Sequence, residues 1–549
     1  MRYFLIFLLN LVTKRWNILL LIVIFVTIPL LFIQYAMIKE QSDTLQNWFL
    51  FDDRNIINDL KNRNSQYRIN NRLERPADYC NLPLTKFHEG EKSLGRKWKL
   101  KHVFVFLRHG QRTTVNTMKG ASYQYKINCS LVQFLSFKIH DWTEFTNSFG
   151  QYKMHFTDYD MKGICAESQL TLMGILQMFI LGSRLKKAYN QFLDSNSPLI
   201  YSTPYQRTVL SAEIIHYQLM KDAKTTQNNA NIIESQSLVF CGPDFNISCQ
   251  CPSLRFFYSK YNRYKSNINI KNVKCNSLIN KFNNIFLSNQ HSINSLTTLF
   301  DIVSSALCAS NLDEISKSNL FCWPMKGKVL NQEPWSFLYK SVDGSEFEEP
   351  ETFSKNKDDN NLDKRCIPLN LLVDLWNCVD STTEQINNFM YFRKYSKLAV
   401  FPILNNLVSK ISSESLKSTE RNKKNEDHKK FNNMIIYVGH DHTLRHLLSA
   451  LDFKRSMKKS IYNVINVWPG FASRLSIEIF ESTVQDSLDD PLQFRLLYNG
   501  LNITSALMFC PSHKPACDFN LLKDYLYSKG FWNENMFSTT EYSSECSTV

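Results

Sequence analysis

The stretch Lys101-His-Val-Phe-Val-Phe-Leu-Arg-His-Gly-Gln-Arg112 decides how the rest of this chain is read. Residues 102–107 form a continuous apolar run of strand length with no polar alternation, the pattern of a parallel strand buried on both faces. The run ends in a glycine-containing turn, Arg108-His109-Gly110-Gln111-Arg112, where charge is concentrated. The same arrangement recurs twice. Leu199-Ile-Tyr201 precedes Ser202-Thr203-Pro204-Tyr205-Gln206-Arg207, and Met434-Ile-Ile-Tyr-Val438 precedes Gly439-His440-Asp441-His442. Open α/β sheets bind ligands outside the carboxyl ends of their strands, so three such ends predict one shared site.

Helical spacing links these segments. Leu172, Leu176 and Phe179 recur on one face between Leu170 and Tyr189, and Arg184, Lys186 and Lys187 near the end complement the helix dipole. Thr203-Pro204 reads as an N-cap and first-turn pair for a helix to about Met220. A further helix follows from about Thr443 to Leu451. Alternation over 474–480, then Phe494–Tyr498 with Asn499-Gly500, predicts two further strands and a turn. The fold class is therefore α/β, a mixed sheet with flanking helices, whose core comprises residues 100–234 and 433–549. Residues 235–432, rich in helical stretches, cysteines and two polar tracts at 341–365 and 412–433, read as an inserted, mainly helical cap.

Upstream, residues 16–38 contain no charge and suffice for about 30 Å of hydrocarbon. Lys14 and Arg15 before them place residues 1–15 in the cytoplasm and the remainder across the membrane, with 39–99 as a stem. A cleaved signal peptide is the alternative. All 14 cysteines lie beyond the anchor, as do sequons at Asn128, Asn246 and Asn502, which suits an oxidising lumen and glycosylation. The 549 residues carry 44% hydrophobic side chains and a net charge of +14, which excludes a disordered or fibrous chain and favours anionic partners over neutral ones. No repeat or nucleic-acid-binding motif is evident.

Three guanidiniums, two or three imidazoles and one carboxylate at a common point suit transfer of a phosphoryl group, which needs positioning and charge stabilisation. Arg108, Arg112 and Arg207 match phosphate oxygens. A neutral His109 among them is a competent nucleophile, and Asp441, the one acid in the three turns, is the natural proton donor. Competing patterns are weaker. Asp158-Tyr159-Asp160 has the form of a metal-chelating pair in a Golgi glycosyltransferase. His440, His442 and His446 have zinc-ligand spacing, and Cys249 with Arg255 has that of a cysteine phosphatase. A catalytically silent membrane receptor is the non-enzyme alternative.

Arg108-His109-Gly110-x-Arg112 and Gly439-His440-Asp441 resemble the two signatures of the histidine acid phosphatases, and Arg207 matches their third phosphate arginine. Within that family the chain is most similar to the Golgi 2-phosphoxylose phosphatases. The similar segments are Tyr79-Cys80-Asn81, Asn128-Cys129-Ser130, Leu170-Thr171-x-x-Gly174, Phe240-Cys241, Cys249-x-Cys251-Pro252, and Tyr498 to Thr504 through Cys510 and Cys517. The resemblance implies His109 as nucleophile, Asp441 as proton donor, Arg108, Arg112, Arg207 and His440 as phosphate ligands, and no metal or cofactor. It implies a phosphorylated glycan of the proteoglycan linkage region as substrate, with a broad-specificity lysosomal-type acid phosphatase as the alternative. Two departures stand out. Thr113-Thr114 replaces the family's proline after the second arginine, and His442 stands where the family has a small or apolar residue.

Overall fold

A computed structural model describes residues 73–80, 91, 94–115, 126–127, 129, 163–193, 198–220, 232–234, 251–271, 273–286, 293–310, 312–322, 329–330, 366–420, 433–483 and 492–527. The expected anchor at 16–38, Asp158, Asp160, Asn128, Asn246 and Cys249 lie outside them. No helix among the described residues is long and apolar enough to cross a membrane.

Among the described residues, eight strands form the main sheet. In chain order they are β1 (Trp98–Arg108), β2 (Leu199–Ser202), β3 (Ile232–Glu234), β4 (Met434–Gly439), β5 (Arg474–Ser482), β6 (Gln493–Tyr498), β7 (Leu501–Asn502) and β8 (Cys517–Asp518). Their spatial order is β7-β6-β5-β1-β4-β2-β3, with β8 paired to β6. β1, β4, β2 and β3 run parallel, while β5, β6 and β7 continue antiparallel from the other edge of β1. The sheet is thus mixed, and the first apolar run is its central strand.

The α-helices named below are α1 (Glu74–Cys80), α2 (Leu172–Tyr189), α3 (Gln206–Met220), α4 (Pro252–Lys271), α5 (Val273–Phe286), α6 (Leu296–Cys308), α7 (Leu369–Asn387), α8 (Met390–Glu420), α9 (Asp441–Ala450) and α10 (Phe519–Tyr527); two short α-helices, Leu312–Ser318 and Lys459–Ile465, complete those of the described residues. Side chains alternate across a strand, so β1 feeds two cores. Val103, Val105 and Leu107 pack with α2 and α3 on one face, whereas Phe104 and Phe106 pack with α8, α9 and α10 on the other. β4 divides likewise, Ile436 and Val438 to the first core and Ile435 and Tyr437 to the second. Burial on both sides is why both strands are apolar throughout.

The insertion is mainly helical, as expected, but it does not stand off from the sheet. α5, α6 and α7 join the first core and α4 and α8 the second. The stem expected at 39–99 needs correction at its C-terminal end. α1 buries Ala77, Tyr79 and Cys80 in the first core, and Cys80 forms a disulfide with Cys308 of α6. Few apolar residues surround α1 in sequence, so its docking depends on partners some 200 residues away that local patterning cannot register. The helix expected from Thr203-Pro204 begins at Gln206 instead. Thr203 N–H still donates to Val438 O, which keeps the chain extended past the end of β2.

Disulfides also join Cys129–Cys165, Cys275–Cys378, Cys322–Cys366 and Cys510–Cys517, and no described cysteine is free, which fits an oxidising compartment. Asn499 and Gly500 both have positive φ, 49° and 81°, in the turn from β6 to β7 that Asn-Gly predicts. The sequon Asn502 is half-buried. Its side-chain N–H donates to Pro515 O at 2.7 Å, so the folded turn uses the nitrogen that a glycan would occupy.

The turn after β1 is fixed by a close crossing with the start of α2. A Cβ on Gly110 would collide with the backbone of Gly174, and one on Gly174 with the backbone of Gln111. Thr171 reinforces the crossing by capping α2 and donating its N–H to Gln111 O at 2.9 Å. Gly174→Ala is expected to destabilise the fold by about 1–3 kcal/mol, the usual cost of overpacking, and to lower kcat by displacing the turn. Denaturant unfolding checks this, and an unchanged midpoint would show that the crossing has slack.

Candidate active site

Because β1, β4 and β2 are neighbouring parallel strands, their C-terminal ends lie side by side. The register pairs Arg108 with Gly439 and Ser202 with Val438, and His109 N–H donates to Gly439 O at 3.0 Å. The three expected turns therefore converge.

His109 is buried at their centre. Its Nδ1 lies 2.7 Å from Gly110 O. A carbonyl can only accept, so Nδ1 carries the proton and Nε2 presents a lone pair. Burial pushes the imidazole well below its usual range, and Arg207, Arg108, His440 and Arg112 add to the effect. Burial and the surrounding cations thus favour the neutral imidazole over the imidazolium. The His440 ring stands edge-on to it, 5.5 Å between centroids, with Nε2 3.1 Å from Thr203 Oγ1. Burial and Arg207 also depress His440.

Each arginine is held differently. Arg108 is wholly buried, its Nη1 donating to Pro469 O at 2.5 Å and its Nη2 to Tyr79 O–H at 3.1 Å. Its Cζ lies 4.1 Å from the Phe471 ring centre, and Nη2 is 3.1 Å from Asp441 Oδ2. Arg112 pairs with Asp301 of α6 at 2.8 Å. Asp301 also accepts from Thr114 Oγ1 and Val115 N–H at 2.8 Å each. Burial alone would raise the Asp301 carboxyl, but Arg112 and these donors hold it below its ordinary value. Arg207 donates to Ser168 Oγ and lies over Tyr205, and among the described residues it has no carboxylate partner. Burial and Arg112 bring it down to about 9. The Nε atoms of Arg108, Arg112 and Arg207 are all buried and donate to nothing among the described residues. Three orphaned cationic N–H groups around one imidazole form a cradle for an oxyanion.

Asp441 opens α9, with His440 at the N-cap. Oδ2 accepts from Arg108 and from Trp468 Nε1 at 2.9 Å, and Oδ1 accepts from His442 N–H at 2.8 Å. Burial opposes ionisation, yet Arg108, His442 and the Trp468 bond override it and hold the carboxyl well below its usual range. His442 is half-exposed, its Nε2 3.8 Å from Asp441 Oδ1. His446, the third histidine of the zinc-like spacing, is buried with Nδ1 2.8 Å from Ser396 Oγ and rings of Phe392 and Tyr395 around it. Arg255, the arginine of the cysteine-phosphatase spacing, is exposed on α4, and its cysteine, Cys249, lies outside the described residues.

All six residues expected at the site, Arg108, His109, Arg112, Arg207, His440 and Asp441, are brought together. Sequence reading missed Tyr79, Ser168, Asp301, Trp468 and Phe471, which hold them in place. Ser168 has a positive φ of 64°, a conformation unusual for serine that no local motif announces. Trp468-Pro469-Gly470 follows no strand, so the strand-end rule passes over it.

Among relatives, 2-phosphoxylose phosphatase 1 of Mus musculus is 23% identical over 495 residues, 85% of each chain. That of Homo sapiens is 22% identical over 459 residues, covering 80% of this chain and 79% of its own. Among solved structures, the multiple inositol polyphosphate phosphatase of Bifidobacterium longum in complex with inositol hexasulfate aligns with a TM-score of 0.42 at 10% identity. It covers 83% of this chain and 98% of that one, a likeness that carries no argument about ligand. The family model of the histidine phosphatase superfamily, branch 2, matches residues 99–499, well over half of the sequence. With its site assembled at the ends of β1, β2 and β4 inside that match, this chain belongs to the histidine phosphatase superfamily, branch 2.

Proposed function

We propose that this phosphomonoester hydrolase acts through a phosphohistidine on His109. The observation that carries the reading is the buried His109, its basicity depressed by burial and by Arg207, Arg108 and Arg112, each of which has an Nε without a partner among the described residues. Arg108, Arg112 and Arg207 hold the phosphate oxygens, and His440 adds a donor by exchanging its contact with Thr203 for one to the ligand. His109 Nε2 attacks phosphorus in line. The P–N bond forms as the ester P–O bond breaks, and Asp441 gives its proton to the leaving oxygen. Water then attacks the phosphohistidine, Asp441 takes up a proton from it, and phosphate leaves.

The ionised state of Asp441 in the free protein shapes the pH dependence. Arg108 and Trp468 keep it a carboxylate, so the proton it later donates must arrive with the substrate, as the ester monoanion. Phosphate monoesters lose that second proton near pH ~6.

For the substrate we infer the 2-phosphate of xylose in the glycosaminoglycan–protein linkage region. The reading draws on the name of the relatives that align over most of the chain. Residues 16–38 then serve as a type II signal anchor in the Golgi membrane with the catalytic part lumenal, a placement that the disulfides favour. A broad-specificity acid phosphatase would share the catalytic residues and differ only in selectivity. Comparison of kcat/KM for a phosphoxylose-containing linkage oligosaccharide and for generic phosphoesters separates them, since equal values would withdraw the glycan assignment.

Replacing His109 by Ala is expected to abolish turnover with folding retained, and residual wild-type-like turnover would refute the nucleophile. Asp441→Asn should slow sugar phosphates by about 10²–10⁴-fold and aryl phosphates far less, because only the poor leaving group needs the proton. Equal slowing would remove Asp441 from that role. kcat/KM should fall about tenfold per pH unit above about pH 6, where the ester monoanion disappears. A profile flat to pH 8 would contradict delivery of the proton by substrate.

A further inference from the structure

One turn of α9 beyond Asp441 stands a cation that the mechanism leaves unused. Arg445 is only 2% exposed, and none of its three side-chain nitrogens makes a hydrogen bond among the described residues. A guanidinium taken out of water normally lies against a carboxylate or carbonyl oxygen. Here its Cζ lies 4.5 Å from the ring centre of Trp468 and 5.2 Å from that of Phe392 in α8. Its contacts are thus the faces of two aromatic rings, which attract a desolvated cation through their quadrupoles.

Trp468 is the link to the site. Residues i and i+4 share a helix face, and helical side chains lean towards the N-terminus, so Arg445 reaches back towards Asp441. The Trp468 indole lies over Arg445 and donates Nε1–H to Asp441 Oδ2 at 2.9 Å. The Trp468 backbone is held separately. Its carbonyl accepts from Arg75 Nη2 at 2.9 Å and its N–H donates to Asp380 Oδ1 at 3.3 Å, while Arg75 and Asp380 pair at 2.7 and 2.8 Å. That clamp fixes the backbone, while the ring itself is held by Arg445 on its face, 4.5 Å from Cζ to ring centre, and by the rings of His442 and Phe300 at 5.7 and 6.2 Å between centroids. Of these contacts Arg445 is the one that carries a full charge against the indole face.

We propose that Arg445 is a positioning residue for the proton donor, acting through Trp468; this rests on the reading of Asp441 given above. With Arg108 and Trp468 both donating to Oδ2, and a single backbone N–H on Oδ1, Oδ1 keeps a lone pair for the transferable proton. Arg445 locks the indole, the indole locks Oδ2, and Oδ1 is thereby turned to the leaving oxygen. Arg445 never touches substrate. Its removal should therefore slow the step that needs the proton and leave phosphate binding alone.

The test uses the full-length protein with Arg445→Met, Trp468→Phe, the double variant and Asp441→Asn, each assayed with a sugar phosphate and with p-nitrophenyl phosphate. Arg445→Met and Trp468→Phe should each lower kcat for the sugar phosphate at least ~10-fold, change it less than about threefold for the aryl ester, and leave KM within about twofold. The double variant should be no slower than Trp468→Phe alone, since both act along one chain. Equal losses on both esters, a rise in KM, or multiplying losses would overturn the proposal. Should Arg445→Met fail to fold, Trp468→Phe keeps a ring in place and reads the same link, and a kcat insensitive to it would be equally fatal. Failures are distinguishable. If Asp441→Asn shows no leaving-group dependence, the proton-donor reading falls and this proposal with it. If it does and Arg445→Met does not, only the positioning role is lost.

Discussion

The contact between Arg108 and Asp441, 3.1 Å from guanidinium to carboxylate, ties the end of β1 to the start of α9 and sets the electrostatics of the site. Both groups are largely out of water, where an unpaired charge is costly, so neither side chain is free to leave the other until an anion arrives. The pair exists because β1 and β4 are adjacent and parallel, with Arg108 in register with Gly439. Their adjacency depends in turn on two strands apolar enough to be covered on both faces. Sequence, sheet order and site electrostatics are here one chain of causes.

The arginines differ in how their charge is balanced. Arg108 and Arg112 face Asp441 and Asp301, whereas Arg207 has no carboxylate partner among the described residues and is shifted down to about 9 by burial and Arg112. The site thus holds a modest positive excess around the buried His109. On the proposed mechanism, an oxyanion entering it would satisfy three orphaned N–H groups at once and lessen the pull of Arg108 on Asp441. Substrate binding and readiness of the proposed proton donor would be coupled by that exchange.

Much of this was legible in the sequence because the informative pattern is local. An apolar run buried on both faces is continuous, a strand end is marked by its turn, and a helix announces its period. The three turns and their six polar site residues follow from those rules. What escaped depends on contacts far apart along the chain. Asp301 lies in a helix of the insertion nearly 190 residues from Arg112, and nothing around it marks it as an ion-pair partner. α1 reads as part of a polar stem because its burial is supplied by α6 and α7. Trp468 and Arg445 look like ordinary aromatic and helical positions until the fold brings Asp441 between them and the reacting groups.

The central claim is a covalent bond between phosphorus and His109, and rapid quenching of the protein during turnover of a labelled phosphomonoester tests it most directly. The mechanism predicts a phosphoenzyme that is stable to alkali, labile to acid, maps to the peptide containing His109 and disappears in His109→Ala. An acid-stable adduct on another residue, or labelling that persists in His109→Ala, would contradict it.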